Sequence, residues 1–137
     1  MARRTETPIQ KRFSDVDIFR HVNNVAQQMY FDVGKTDYYR KVLGHDILYD
    51  NLRIVTVSTA TSYQSQIRHD DDIYVTTETE RIGNKSMVLF QQIIRRESDG
   101  RLTVCSESRS TMVAFDFAAQ EGVRVPDEWR SLIGGEE

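Results

Sequence analysis

Cysteine and proline are scarce in this sequence, and each scarcity limits what the chain can be. Among the 137 residues there is one cysteine, Cys105, so no disulfide can form within the chain. Its surroundings, LTVCSESRS, predict a strand residue packed as a small hydrophobe. The two prolines are Pro8 and Pro126, and the proline-free stretch between them suits long strands and helices. Because no repeat or low-complexity tract interrupts it, we expect a single domain over residues 1–137.

Long apolar runs and an excess of positive charge are also absent. No run of about 18 apolar residues occurs and the N-terminus lacks the apolar core of a signal peptide, so we expect a cytoplasmic protein outside the membrane. The formal net charge of −3 disfavours a nucleic-acid partner, since binding to phosphates requires clustered Lys and Arg. The histidines His21, His45 and His69 lack metal-ligand spacing, so no metal site is predicted.

The first half of the chain predicts one strand and one long helix. The strand is predicted over 7–13 and a polar loop over 14–21. The helix is predicted over 23–43, with Asn23 or Asn24 as N-cap and Gly44 after its last turn. Gly34 lies inside this helix, where it costs about 1 kcal/mol relative to Ala, and we expect a closely packed sheet as the reason. The apolar stripe of the helix is predicted to contain Val22, Ala26, Met29 and Val33.

After Gly44 the apolar period changes from 3.6 to 2, which indicates strands. On the first of them, Val55, Val57, Tyr63 and Ile67 are predicted to share a face. Long strands favour an α+β fold in which a strongly curved antiparallel five-stranded sheet wraps a central helix. The alternative is a small sheet with the helix flat on one edge. The four strands are predicted over 54–67, 73–82, 86–97 and 102–117, and Pro126 opens a short C-terminal helix.

The segment from Arg12 to Tyr30, RFSDVDIFRHVNNVAQQMY, carries the chemistry. It places Asp15, Asp17 and His21 in a loop that leads into a helix N-terminus. The free N–H groups and the dipole at such an end can stabilise an oxyanion, and a nearby carboxylate can act as base or nucleophile. Capping and turn formation explain each residue equally well by itself. The residues alone therefore predict an anion site at a helix N-terminus.

The same segment resembles the signature of the 4-hydroxybenzoyl-CoA thioesterase-like family. That signature reads Asp-x-Asp, then Gly-His-Val-Asn-Asn, then Tyr-Phe-Glu, and the order of elements is similar from about Thr7 to Phe117. The resemblance implies a hot-dog fold and acyl-CoA thioesterase activity. It also implies a homodimer or homotetramer with sites at the subunit boundary. No metal or organic cofactor is implied, since coenzyme A is part of the substrate.

The resemblance also assigns roles to individual residues. Asp17 is implied to be the nucleophile or general base, with His21 and Asn24 as the other catalytic positions at the start of the helix. Asn23 is implied to bind substrate beside them. Lys85 and Ser86, in the turn Gly83-Asn84-Lys85-Ser86, are implied to meet the nucleotide end of coenzyme A. Arg95, Arg96 and Arg101 are weaker candidates for that contact. Asp15 is implied to shape the loop and Asp32 to pair with Lys35.

Three positions depart from the related signatures, and two rival functions stay open. Arg20 stands where Gly is usual, and Gln27 where Tyr is common. Phe19 stands where plant acyl-ACP thioesterases have Asn. These departures leave the acyl group unspecified. The rivals are a hot-dog hydratase or dehydratase, whose Asp–His spacing this chain fits poorly, and a non-catalytic module that binds acyl thioesters.

Overall fold

The computed structural model of the chain describes residues 3–44 and 52–134. His45, one of the three histidines without metal-ligand spacing, therefore lies outside the described residues. The described part contains two α-helices, a π-helical turn and six strands. In chain order they are β1 (Arg4–Pro8), α1 (Asn24–Tyr38), the π-helical turn (Tyr39–Leu43), β2 (Leu52–Tyr63), β3 (Asp72–Ile82), β4 (Ser86–Arg96), β5 (Leu102–Asp116), β6 (Glu121–Gly122) and α2 (Asp127–Ile133).

The sheet is antiparallel throughout, with five long strands in the order β1-β3-β4-β5-β2. The short β6 pairs with the end of β5. The helix α1 packs against β1, β3 and β4. The predicted α+β architecture, one long helix on a five-stranded antiparallel sheet, is confirmed. The order also leaves β2 at one edge of the sheet within this chain.

The first strand was predicted in the wrong place. It spans Arg4–Pro8 rather than 7–13, and its partners on β3 run from Glu78 to Tyr74. Pro8 has no N–H to donate to the ladder, so the pairing ends there and the chain leaves the sheet. Phe13 instead begins a single 3₁₀ turn, Phe13–Asp15, in the loop before the helix.

The helix begins and ends with the predicted caps. The side chain of Asn23 accepts a hydrogen bond from the backbone N–H of Ala26 at 2.7 Å, which makes Asn23 the N-cap. The α-helix ends at Tyr38 and continues as the π-helical turn to Leu43. Gly44 then adopts φ +61°, the left-handed conformation that glycine reaches without a Cβ penalty.

The buried face of α1 differs from the predicted apolar stripe. Val22 and Ala26 are buried as predicted, but Met29 and Val33 are 48% and 51% exposed. The prediction for Met29 and Val33 was wrong because the buried side of α1 also contains two polar side chains, Gln27 and Lys35. Apolar spacing alone therefore does not identify the buried side of this helix. The buried side consists of Ala26, Gln27, Tyr30, Phe31, Gly34, Lys35 and Tyr38.

The sheet does approach the helix closely at Gly34, as predicted. A Cβ atom at this position would lie 2.6 Å from Cγ1 of Val75 and 3.1 Å from Nε2 of Gln91. The same Gln91 amide donates a hydrogen bond of 2.9 Å to the carbonyl of Phe31 on the helix. The contact between α1 and the sheet therefore depends on the missing side chain of Gly34.

The core is divided into two apolar clusters by a row of polar side chains. The helix-start cluster centres on Phe31, Ile67 and Ile93, and the helix-end cluster on Tyr38, Met87 and Trp129. Between them runs what we term the polar row, whose members are directly paired across all five long strands. The row consists of Thr5, Thr77, Gln91, Ser108 and Thr61.

The polar row is held by its own hydrogen bonds. Gln91 donates to Oγ1 of Thr77 at 3.0 Å, and the hydroxyls of Ser108 and Thr61 are 2.9 Å apart. Gln28 of the helix donates to Thr61 at 2.9 Å. Within the described residues, Oγ1 of Thr5 and Oε1 of Gln91 have no hydrogen-bond partner. The bonds from Gln28 to Thr61 and from Gln91 to the carbonyl of Phe31 fasten the helix to the sheet.

The face predicted for β2 is also wrong. Val57 and Tyr63 are exposed, whereas Ile54 on the same strand is buried. A bulge between Thr56 and Ser58 shifts the pairing with β5 and thereby changes which side chains face the helix.

Candidate active site

A tight turn presents Asp17 at the start of the helix. The backbone N–H of Asp17 donates to the carbonyl of His21 at 3.0 Å, and the N–H of Arg20 donates to the carbonyl of Asp17 at 2.9 Å. Just outside this turn, Val16 and Val22 form an antiparallel bridge. Oδ1 of Asp17 accepts a hydrogen bond of 2.9 Å from the N–H of Phe19, which fixes the direction of the carboxylate. The Asp17 side chain itself is exposed.

Asp15 is buried and anchors the same loop. Its Oδ2 accepts a hydrogen bond of 2.6 Å from the hydroxyl of Tyr30 and one of 2.9 Å from the backbone N–H of Arg12. The Arg12 guanidinium lies 3.1 Å from Oδ1. The backbone carbonyl of Asp15 accepts a hydrogen bond from the N–H of Asn23 at 2.9 Å. The carboxylate points into this network, so the structure supports the loop-shaping role that the resemblance implied.

The Asp15 network predicts a loss of stability in acid. Burial raises the pKa of Asp15, but the hydrogen bonds from Tyr30 and Arg12 together outweigh it and hold that pKa below the ordinary carboxyl value. Because the folded-state pKa is lowered, the ionised carboxylate stabilises the fold at pH values above its unfolded pKa of about 3.9. This stabilisation is lost as the pH falls through the folded-state pKa. We expect Asp15→Asn to be less stable at pH 7 and to lose less further stability below pH 4. Urea unfolding from pH 7 to 3 measures this, and parallel pH curves for the two proteins would contradict it.

Arg20 adopts a backbone conformation that favours glycine, which explains why the related signature has Gly there. Its φ is +66°, in the left-handed region. A residue with a side chain is destabilised by about 1–2 kcal/mol in that region, and glycine avoids this cost. Part of the benefit, about 0.5–1 kcal/mol, is offset because glycine loses more conformational entropy on folding. We expect Arg20→Gly to raise the free energy of unfolding by about 0.5–1 kcal/mol. The matched control is Gly44→Ala, at φ +61°, which should lower it. Denaturant unfolding measures both, and a less stable Arg20→Gly variant would refute the assignment of strain.

The first turn of α1 leaves two backbone donors available. The first N–H groups of a helix have no intrahelical acceptor. The side chain of Asn23 accepts the N–H of Ala26, and the helix's own hydrogen bonds begin with Gln27, whose N–H donates to the carbonyl of Asn23 at 3.1 Å. Among the described residues no acceptor is present for the N–H groups of Asn24 and Val25. These two donors, at the positive end of the helix dipole, can bind a carbonyl oxygen that gains negative charge.

A cavity of about 410 Å³ brings the predicted residues together. Asp17, His21, Asn23 and Asn24 all line it. Its opposite wall is formed by the end of β2 and the residues that follow, 63–66, which the sequence did not identify. The exposed Asp32 does not line this cavity; it lies 3.7 Å from Lys35, so the predicted pairing of these two residues is confirmed.

Arg95 holds the 63–66 wall in place. Its guanidinium donates to the carbonyl of Gln66 at 2.7 Å and to the hydroxyl of Ser65 at 3.2 Å. It is balanced by Glu97, whose carboxylate lies 2.8 Å away. The hydrogen bond to Glu97 is the largest cause that raises the pKa of Arg95. Arg95 thus serves as a support for the wall.

Lys85 and Ser86 lie far from this cavity within one chain. Ser86 begins β4 and pairs with Val113, whereas Arg95, near the other end of β4, contacts the cavity wall. Arg95 lies nine positions after Ser86 along the extended strand, a distance of about 30 Å. Within the described residues, the turn that carries Lys85 contacts the C-terminal segment through Asn84, whose carbonyl accepts the N–H of Val125. A single chain therefore does not join the predicted nucleotide-binding residues to Asp17.

Cys105 belongs to the helix-start cluster of the core. Cys105 is fully buried, and burial raises the pKa of its thiol to about 11. This fits its predicted role as a small hydrophobe. In the part of the chain that the structure describes, no group of three His, Cys, Asp or Glu side chains is placed to hold a metal ion. No helix in that part is long and apolar enough to cross a membrane.

The sequence profile of the Thioesterase-like superfamily matches residues 12–133, so the chain belongs to this superfamily. Solved structures agree with this. A predicted thioesterase from Bacillus stearothermophilus is 26% identical, with a TM-score of 0.82. The superposition covers 96% of this chain and 94% of that protein's chain. A mutant 4-hydroxybenzoyl-CoA thioesterase complexed with 4-hydroxybenzoyl-CoA is 18% identical and covers 96% and 99%, with a TM-score of 0.87. The predicted hot-dog fold and thioesterase class are thus confirmed.

Two relatives in sequence are also known. The long-chain acyl-CoA thioesterase FadM of Escherichia coli K12 is 23% identical over 134 residues, which cover 93% of this chain and 96% of FadM. The uncharacterised protein YsmA of Bacillus subtilis 168 is 29% identical over 80 residues, 57% of this chain. That second match spans 52% of the length of YsmA.

Proposed function

We propose that this protein hydrolyses acyl-CoA thioesters in the cavity between Asp17 and the N-terminus of α1. The observation that carries the proposal is the shared cavity, which is lined by the exposed carboxylate of Asp17 and by Asn24 and Val25, the two residues with uncommitted backbone N–H groups. Hydrolysis of a thioester needs both a base or nucleophile and a site for the oxyanion. Two similar proteins, FadM and 4-hydroxybenzoyl-CoA thioesterase, are named for acyl-CoA thioesters, which supports this substrate class.

The thioester carbonyl binds at the helix N-terminus. Its oxygen accepts hydrogen bonds from the N–H groups of Asn24 and Val25, which become stronger as the oxygen gains negative charge in the transition state. Asn23 stabilises this end of the helix as its N-cap. His21 closes the turn that carries Asp17, through its backbone carbonyl, and lines the cavity beside it.

Asp17 supplies the other half of the reaction. As a general base it removes a proton from water, and the resulting hydroxide forms a C–O bond to the carbonyl carbon. As a nucleophile it forms that bond itself, and water then hydrolyses the mixed anhydride. In both courses the C–S bond breaks, coenzyme A leaves as the thiolate with the bonding electrons, and the acyl group leaves as a carboxylate. No atom changes its oxidation state, so the reaction requires no oxidant or reductant.

We also propose a homodimer, in which a second copy of the chain covers the apolar edge beside the cavity. The strand β2 is an edge of the sheet in this chain, and its Val57 is 59% exposed. On the loop that carries Asp17, Ile18 and Phe19 are 90% and 72% exposed. Exposed apolar edge strands pair with other chains unless they are covered. Analytical ultracentrifugation tests this proposal, and a monomer at micromolar concentration would contradict it.

The direct test of function is coenzyme A release from a panel of short, long and aromatic acyl-CoAs. A thioesterase liberates free thiol and a carboxylic acid in equal amounts from at least one member of the panel. Binding of acyl-CoAs without thiol release would instead show a non-catalytic module. Consumption of an enoyl-CoA without thiol release would show a hydratase.

A further inference from the structure

Tyr63 is the last residue of β2 and lines the cavity, and its hydroxyl is held by the helix. The amide nitrogen of Gln28 on α1 donates one hydrogen bond to Oη of Tyr63 at 3.0 Å and another to Oγ1 of Thr61 at 2.9 Å. Because the Tyr63 oxygen accepts this bond, its own hydrogen points away from Gln28. Among the described residues, no acceptor binds that hydrogen. Tyr63 therefore has a hydrogen-bond donor that the fold does not use.

The Tyr63 hydroxyl lies beside the carbonyl-binding end of α1. Gln28 follows Asn24 by four residues on the same face of the helix, about one turn or 5.4 Å along the axis. Helical side chains point back toward the N-terminus, so the Gln28 carboxamide and the hydroxyl bonded to it lie over the turn that begins at Asn24. Under the proposed function, the thioester oxygen accepts the N–H groups of Asn24 and Val25. Those two bonds use both lone pairs of a carbonyl oxygen, so the Tyr63 hydroxyl is available to another acceptor of the substrate.

The pantetheine arm of coenzyme A supplies such an acceptor. Its first amide is separated from the thioester sulfur by a short ethylene spacer, and it is present whatever the acyl group is. Tyr63 is 41% exposed, which places it toward the mouth of the cavity. The arm passes through this mouth, because the charged phosphates of the nucleotide are costly to bury and stay in solvent. The amide carbonyl and the unused donor are therefore expected on the same side of the thioester.

We propose that Tyr63 is a substrate-binding residue whose hydroxyl donates a hydrogen bond to the first amide carbonyl of the pantetheine arm, with Gln28 as the residue that positions it. The inference rests on the proposed thioesterase function and names a part of the substrate that the same chain recognises apart from the acyl group. Lys85 and Ser86, in contrast, lie at the far end of β4 from the cavity wall.

The experiment compares two small thioesters of the acyl group that the acyl-CoA panel shows to be hydrolysed fastest. The N-acetylcysteamine thioester keeps the first amide of the arm, whereas the S-pentyl thioester has the same length without it. Tyr63→Phe should lower kcat/KM for the N-acetylcysteamine thioester by roughly three- to tenfold, the range that one neutral hydrogen bond provides. The S-pentyl thioester should stay within about twofold of its wild-type value. Dividing each variant rate by the wild-type rate removes the intrinsic difference between the two leaving thiols.

Steady-state kinetics with the acyl-CoA itself give a second readout. A contact with the arm is equally strong in the ground state and the transition state, so Tyr63→Phe should raise KM by roughly three- to tenfold and leave kcat within about twofold. The matched control is Tyr39→Phe, which removes a buried hydroxyl from the helix-end cluster, away from the cavity. It should leave kcat and KM unchanged. An unchanged KM in the Tyr63 variant would contradict the proposal.

Two outcomes with the small thioesters also overturn the proposal. An equal loss for both would mean that the hydroxyl acts on the part that they share, and wild-type rates for both would mean that it binds neither. If the wild type hydrolyses no thioester at all, the proposed function fails by itself. The dissociation constant of S-butyl-CoA, an unreactive thioether, then tests Tyr63, and Tyr63→Phe should raise it by roughly three- to tenfold. An unchanged constant, or no binding by the wild type, would overturn the assignment.

Discussion

Replacing Asp17 with Asn is expected to lower kcat for acyl-CoA hydrolysis by roughly 10²- to 10⁴-fold, the contribution typical of a positioned base or nucleophile. The replacement keeps the shape of the side chain. Its carbonyl oxygen can still accept the N–H of Phe19, which lies 2.9 Å from Oδ1, so the turn that presents residue 17 is retained. An amide cannot take the proton from water or form the anhydride. KM should change much less than kcat, because the groups that bind the carbonyl are unaltered.

The assay for this variant is continuous detection of the released thiol. The protein adds no background, because Cys105 is its one cysteine, is buried, and has a thiol pKa raised by burial to about 11. Asp32→Asn is the matched control, since Asp32 is an exposed carboxylate of α1 outside the cavity. Its rate should stay within about twofold of wild type. A wild-type rate in the Asp17 variant would remove this residue from the chemistry.

Replacing Gly34 with Ala is expected to destabilise the protein, although alanine is the better helix former. The added Cβ would lie 2.6 Å from Cγ1 of Val75 and 3.1 Å from both Gln91 Nε2 and Thr77 Oγ1. Overpacking of this kind costs about 1–3 kcal/mol or more, against a gain of about 1 kcal/mol in helix propensity. We therefore expect a net loss of about 1–2 kcal/mol, measured by denaturant unfolding.

A double-mutant cycle tests whether the contact with Val75 is the cause. Val75→Ala alone leaves a cavity and destabilises the core. In the double variant, Val75→Ala makes room for the new methyl group of Gly34→Ala. The double variant should therefore lose less free energy of unfolding than the sum of the two single losses, by at least about 0.5 kcal/mol. Strict additivity would show that the clash lies elsewhere. Val33→Ala, at a half-exposed position on the same helix, is the control and should change the free energy of unfolding by less than about 0.5 kcal/mol.

The parts of the site that could be predicted are those that one continuous segment supplies. Asp17, His21, Asn23 and Asn24 lie within eight residues, so chain connectivity alone keeps them together. The opposite wall could not be predicted in the same way. Its position depends on a register shift between Ile93 and Ile94 and on contacts of Arg95 with residues about 30 positions earlier. Register across a sheet depends on packing between distant segments, which a single sequence does not reveal.

The same distinction explains the other differences between pattern and structure. The turn at Lys85 has the composition of a phosphate site, and its contact with coenzyme A stays a prediction; the length of β4 places this turn at the far end of the sheet from Arg95. Met29 and Val33 have helical spacing, yet the glycine at position 34 and the polar row determine which face of α1 meets the sheet. Local composition predicted the type of each segment, a turn or a helix. Tertiary packing determined where the turn lies and which face of the helix is buried.

The polar row also affects how the sequence can change over generations. Val22 belongs to the helix-start cluster and lines the cavity, so selection on substrate and selection on stability both act there. No residue of the helix-end cluster, among those described, lines that cavity. Substitutions around Trp129 therefore change stability without touching the acyl group. Substitutions in the helix-end cluster are constrained by stability alone. Relatives that act on different substrates should therefore differ most in the helix-start cluster.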